Sequence, residues 1–235
     1  MNAGTPSSSH SDPPIDRAVG HPSPDAATSG PTATERQSIV TLDLEGVLVP
    51  EIWIAVAERT GIAALRRTTR DEPDYDALMR GRLALLAEHG LTMSTIADVI
   101  ATLAPLDGAR DFLDALRART QVLILSDTFE QFGRPLMVHL GFPTLLCHRL
   151  VVADDRIVDY RLRMTDQKRH AVQALHGLNY RVAAAGDSYN DTAMLRAADT
   201  GFLFHAPPNV RAEFPQFPAF DHYDDLLAAI TTWLG

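Results

Sequence analysis

Short apolar runs that end on an acidic or hydroxyl side chain alternate, along most of the chain, with segments of helical periodicity. Ser38 to Leu44 carries apolar residues on both faces, which predicts a central strand covered on both sides. Val122 to Leu125 and Val182 to Ala185 repeat the pattern, the first running into Ser126-Asp127-Thr128 and the second into Gly186-Asp187. A short strand is predicted around Leu145 to Cys147, a hairpin from Leu150 to Ala153 and Ile157 to Leu162 turning at Asp154-Asp155, and a last strand at Phe202 to Phe204. Helices are expected at 109–119, 129–140, 167–175, 191–197 and 224–234. This alternation predicts an α/β fold with a doubly wound, mainly parallel sheet.

One stretch departs from the alternation. After Pro50 the periodicity is helical for some 55 residues: Ile52, Trp53 and Val56 share a face before Gly61, and Tyr75, Leu78, Met79, Arg82, Leu85 and Leu86 follow helical spacing up to Gly90. Ser94 is the expected N-cap of a third helix carrying Ile96, Val99, Ile100 and Leu103. Asp107-Gly108 then reopens the core. The reading is a helical cap at 51–107 inserted into an α/β core at 38–50 plus 108–235. Residues 1–37 contain 6 Pro, 6 Ser, 4 Thr and 3 Gly and no Leu, Phe, Tyr or Trp, a composition expected to stay a disordered tail.

Composition narrows the function classes. A net charge of -9 with scattered arginines gives no basic stripe for a nucleic-acid backbone. No apolar stretch approaches the length of a membrane span, and no basic start followed by an apolar segment opens the chain. Cys147 is the one cysteine, which excludes an intramolecular disulfide and a thiolate metal cluster and fits a reducing compartment, so a cytoplasmic protein is expected. The histidines show no ligand spacing.

The strand ends supply the parts that phosphoryl transfer needs. A phosphate monoester repels nucleophiles with its own charge, so its cleavage calls for charge neutralisation, an in-line nucleophile and a proton donor for the leaving alkoxide. Asp43 is the candidate nucleophile. Asp43 and Asp187 are candidate Mg2+ ligands together with the backbone carbonyl of Glu45, since magnesium favours octahedral oxygen coordination. The Glu45 carboxyl, two residues past the nucleophile, is the candidate acid and base. Ser126 would donate to the phosphoryl group, and Lys168 would offset the charge of Asp43 and the phosphate. Asn190 and Asp191 would orient the lysine and the surroundings of the metal. Taken singly, each is also an ordinary cap or turn residue; the argument rests on their joint order.

Those segments, Asp43 to Trp53, Ser126 to Phe129, Phe142 to His148 and Ala184 to Thr192, resemble the motifs of the haloacid dehalogenase superfamily of phosphatases, and the helical insert resembles its C1-type cap. Within that superfamily they are similar to bacterial phosphoserine phosphatases that also act as homoserine phosphotransferases. The resemblance implies hydrolysis of O-phosphoserine through an aspartyl-phosphate, with homoserine as an alternative acceptor. It further implies that Glu51 meets the substrate ammonium, that Arg82 meets its carboxylate, and that Asp127 and Asn190 lie at the substrate. Superfamily phosphatases typically carry aspartate two residues after the nucleophile, whereas this chain has Glu45. Other readings stay open: a phosphatase for another small metabolite, a phospho-acceptor signalling domain, or a catalytically inactive binding protein. Whether the chain forms a homodimer is also open.

Overall fold

The first apolar run of the α/β region becomes strand β1 (Gln37–Leu42), and its two apolar faces explain its place. In this computed structural model, which describes residues 35–235 apart from Arg70 and Pro73, β1 pairs in parallel with β2 (Gln121–Phe129) on one side and β5 (Tyr180–Gly186) on the other. The tail expected at 1–37 lies almost wholly outside the described residues. With β3 (Thr144–Ala153), β4 (Arg156–Arg161), β6 (Thr200–Phe204) and β7 (Ala219–Phe220), the sheet runs β4-β3-β2-β1-β5-β6-β7. All neighbours are parallel except the β3–β4 hairpin.

Period-two alternation divides the core into two layers. Val40 and Leu42 of β1 and Ala183 and Ala185 of β5 join one buried cluster, which takes in Phe112, Phe132 and Ile230 from α4 (Ala109–Arg117), α5 (Glu130–His139) and α9 (Tyr223–Leu234). Ile39, Val182 and Ala184 face the opposite cluster, with Val172, Leu195 and Val210 of α6 (Gln167–Gly177), α7 (Thr192–Ala197) and α8 (Pro208–Glu213). Helices therefore cover both faces. Because the chain order reverses at β1, the carboxyl ends of β1, β2 and β5 adjoin one another at a topological switch point, where open α/β sheets bind ligands.

Between β1 and α4 the regular elements of the described residues are all helical: α1 (Ile52–Thr60), a short 3-10 turn (Ala63–Arg66), α2 (Tyr75–Glu88) and α3 (Met93–Ile100). Gly61 adopts φ 73° and ends α1. The expected Ser94 cap is corrected to Thr92, whose hydroxyl accepts from the Thr95 amide at 3.1 Å. The Ser94 amide instead donates to Asp155 Oδ1 at 2.9 Å, because the tip of the β3–β4 hairpin reaches across to that helix start.

The strands expected at 145–147 and 150–153 are one continuous strand, β3. It changes partner along its length, following β2 through His148 and β4 from Arg149. The β2–β3 register slips between Leu125 and Phe129, so the ladder is interrupted at Ser126-Asp127-Thr128, beside the sheet edge where side chains are needed for other contacts. The sequence reading also missed α8 and β7, which are too short for periodicity to register. Among the described residues no single helix is long and apolar enough to cross a membrane.

Candidate active site

The switch point brings the strand-end residues into one cleft. Asp43 follows β1, and its amide donates to the Ala185 carbonyl at 3.0 Å, tying it to the end of β5. Lys168 enters from the first turn of α6 and is 2% exposed. Its ammonium lies 2.9 Å from Asp43 Oδ1, 2.7 Å from Asp191 Oδ1 and 3.6 Å from Asp127 Oδ2. Asp43 Oδ1 is buried and makes no well-directed hydrogen bond; the lysine is its close ionic contact.

Asp191 has its oxygens committed. Oδ1 takes Lys168, and Oδ2 accepts the amides of Asp187 and Ser188 at 2.9 and 3.1 Å. Carboxylate oxygens of Asp43, Asp187 and Asp191 lie within 4.8 Å of one another. Crowding here is backed by glycine. Gly46 has φ +77°, and a Cβ there would sit 2.6 Å from Asp187 Oδ2; at Gly186 a Cβ would sit 2.4 Å from the Asp191 side chain.

Like charges in a dry site set the protonation balance. Burial and repulsion from Asp191 push the Asp43 carboxyl well above its ordinary value, with Lys168 pulling the other way. Burial opposes the Lys168 charge, yet Asp191, Asp43 and Asp127 outweigh it and hold the ammonium protonated. For Asp127 burial is again opposed, by Lys168 and by the side chains of His148, Asn190 and Gln167, and its carboxyl stays well below the usual range.

The sequence-predicted residues fall around this cluster. Ser126 is 2% exposed, and its Oγ accepts the Thr128 amide at 3.2 Å. Asn190 Nδ2 donates to Asp127 Oδ2 at 3.0 Å. Glu45 lines the cleft, its Oε2 accepting the Ile52 amide at 3.2 Å at the start of α1, so its carboxylate does not join the three gathered aspartates. Glu51 lines the same cleft from the N-cap of α1.

Arg82 projects from α2, stacked over Trp53 at 4.6 Å and donating to the Arg67 carbonyl at 2.7 Å. Its Nε is buried without a hydrogen-bond partner. Burial lowers its pKa to about 10 while Glu45, Tyr75 and Glu51 resist, which leaves it charged at neutral pH.

Sequence reasoning missed the supports of this site. Gln167 Nε2 donates to the Ser126 carbonyl and to Asp127 Oδ1, the latter at 3.3 Å. The Tyr75 hydroxyl donates to the Asp127 carbonyl at 2.9 Å. His148 Nδ1 accepts the Arg163 amide at 3.1 Å, and its Nε2 lies 3.6 Å from Asp127 Oδ1. Gln167 had a signal in its place beside Lys168 in the same helical turn; Tyr75 lay in the helical pattern and His148 at the end of the segment Phe142 to His148, but neither pattern pointed to Asp127.

The profile of the haloacid dehalogenase-like hydrolase family matches residues 38–199. Phosphoserine phosphatase ThrH of Pseudomonas aeruginosa is 65% identical over 189 residues, covering 80% of this chain and 92% of that protein. A phosphoserine phosphatase of Pseudomonas syringae is 64% identical over 189 residues, 80% of each chain. A solved substrate-bound phosphoserine phosphatase complex shares the fold, with a TM-score of 0.70 and 18% identity over 86% of this chain and 100% of the other. The chain belongs to the haloacid dehalogenase-like hydrolases.

Proposed function

We propose that this protein is a Mg2+-dependent phosphatase that hydrolyses O-phosphoserine through a phosphoryl group held on Asp43. The observation that carries the reading is the buried Asp43–Lys168–Asp191 arrangement with Asp187 beside it. Relatives at 65% and 64% identity bear the name phosphoserine phosphatase, and a structural neighbour of the same fold is described as a phospho-aspartyl intermediate analogue of phosphoserine phosphatase.

In the proposed reaction an Asp43 oxygen attacks phosphorus, the bond from phosphorus to the serine oxygen breaks, and Glu45 passes its proton to the departing alkoxide. A water then attacks the aspartyl-phosphate, Glu45 takes that water's proton, and inorganic phosphate leaves. Ser126 donates to the phosphoryl oxygens. Lys168 balances the charge of Asp43 and phosphate while Asp191 holds it in place.

The donor set fits magnesium: Asp43 and Asp187 offer hard oxygens at close range, whereas Asp191 is saturated by Lys168 and two amides. The ion, with the Glu45 carbonyl completing its protein ligands, would neutralise charge on the phosphoryl oxygens.

The helical segment at 51–107 is assigned as a cap that closes over the phosphoryl site and recognises the amino-acid end of the substrate. Arg82 is its carboxylate receptor, since a guanidinium fork suits a carboxylate and its Nε is left over for one. Glu51 would meet the ammonium. Homoserine replaces water as acceptor in the transfer branch. A reducing, cytoplasmic setting accords with Cys147, the sole cysteine, whose thiol is pushed up to about 11 by burial.

A panel of phosphorylated metabolites with Mg2+ tests the substrate: phosphoserine should be preferred, and Arg82→Ala should lower kcat/KM for it by roughly tenfold to a hundredfold, as expected for losing a charge-assisted pair worth about 1.5–3 kcal/mol. An equal loss on sugar phosphates would point to another metabolite. Binding of the ion is read apart from turnover: Mg2+ should raise Tm of the protein and fail to do so in Asp187→Asn; an unchanged shift in that variant would remove Asp187 as a ligand. The longer reach of Glu45, one methylene more than aspartate, motivates a further expectation, because a displacement of roughly 1 Å can alter rates about a hundredfold. Glu45→Asp should raise the ratio of free phosphate to phosphohomoserine, and an unchanged ratio would dismiss the idea that Glu45 favours transfer.

A further inference from the structure

Tyr75 joins two parts of the cleft that are 52 residues apart in the chain, through its 2.9 Å hydrogen bond to the Asp127 carbonyl. Asp127 follows Ser126 at the interrupted end of β2, on the phosphoryl side. Tyr75 is the first residue of α2, and the start of that helix is fixed by Asp74, whose side chain accepts the Asp76 and Ala77 amides at 2.9 and 3.2 Å. Arg82 lies seven residues further along the same helix, two turns on and on the same face.

The tyrosine ring is itself confined. His148 and Tyr160 meet it edge-on, with centroids 6.1 and 6.0 Å away. Other polar ties from α2 reach β4 instead: Arg80 pairs with Asp159 at 2.7 Å, an exposed ion pair of a kind that holds little, and Asp76 accepts from the Tyr160 hydroxyl. Tyr75, Asp127 and Asn190 also form part of the wall between the cleft and an adjoining cavity bordered by Leu162 and Met164.

We propose that Tyr75 is a positioning residue for substrate selection: by fastening α2 to the Asp127 carbonyl it fixes the span between Arg82 and Ser126, and so favours phosphate esters whose carboxylate lies one amino-acid length from phosphorus. The proposal rests on the reading of the cleft as a phosphoserine site. Its physical basis is pre-organisation. A receptor whose two ends are held at the substrate's own length loses less freedom on binding. Burial and the neighbouring Asp127 charge push the Tyr75 hydroxyl far above its ordinary pKa, so it remains a donor across the working range of pH.

Tyr75→Phe removes the hydroxyl and keeps the ring contacts, and the test compares it with the Mg2+-loaded wild type. Two constants are measured: KM for phosphoserine, and the competitive inhibition constant of inorganic phosphate, which reports the phosphoryl end alone. KM should rise roughly fivefold, the equivalent of the ~1 kcal/mol net value of one hydrogen bond, while the phosphate constant stays within about twofold. An unchanged KM would overturn the proposal, and so would a phosphate constant that rises in step, since Tyr75 would then merely support the core. A wild type that cleaves other esters but not phosphoserine would overturn the substrate reading and this proposal with it; normal wild-type turnover with an unmoved variant would overturn this proposal alone.

Discussion

One buried ammonium, that of Lys168, is the constraint on which the site depends. Moving a charge out of water is costly unless partners replace its hydration. Lys168 finds three carboxylates within 3.6 Å; Asp127 and Asp191 have other partners as well, whereas the buried Asp43 Oδ1 has the lysine as its close contact. The balance is uneven, because Asp187 adds a further negative group beside Asp43 and Asp191. A site built this way is short of positive charge. Burial and repulsion from Asp191 raise the Asp43 carboxyl against the pull of Lys168, and in the proposed reading a divalent cation would make up the deficit.

The fold holds this charge cluster together without relying on any single loop. Asp43, Ser126 and Asp187 each leave the sheet from neighbouring parallel strands, so the spacing of the strands sets the spacing of their side chains. Gly46 and Gly186 allow the backbones to approach where a side chain would collide with Asp187 or Asp191. Asp191 links the levels of organisation in one residue: it closes the turn after β5 through two amides and holds Lys168 with its other oxygen. The helical segment contributes Arg82 and Tyr75 from one face of α2, and the Tyr75 hydroxyl ties that helix to the Asp127 carbonyl at the end of β2.

Much of this was legible in the sequence because the chemistry stands at the ends of apolar runs. An acidic residue after Ile39 to Leu42, a hydroxyl after Val122 to Leu125 and a Gly-Asp after Val182 to Ala185 are all local patterns, and the sheet brings their ends to one edge. The first-turn placement of Lys168 was equally local. Thr92 rather than Ser94 caps α3, and the Ser94 amide, left inside the first turn, is taken by Asp155 at the hairpin tip, a contact between distant parts of the chain. β3 reads as two short runs because it changes neighbour midway, so each half carries the pattern of a different environment. The supports of Asp127, namely Tyr75, His148 and Gln167, are polar residues brought together from three elements. The helical spacing that includes Tyr75 marks a packed face and not a contact to Asp127; what brings the three side chains together is the charge they surround.

The central claim is that Asp43 carries the phosphoryl group during turnover. Acid quenching of the Mg2+-loaded protein during its reaction with phosphoserine labelled in the phosphoryl group, followed by peptide mapping, tests it most directly. The label should appear as an acyl phosphate on the peptide that contains Asp43 and be absent from Asp43→Asn. Turnover with no label retained on the protein, or label retained on another side chain such as Ser126 or His148, would contradict the account.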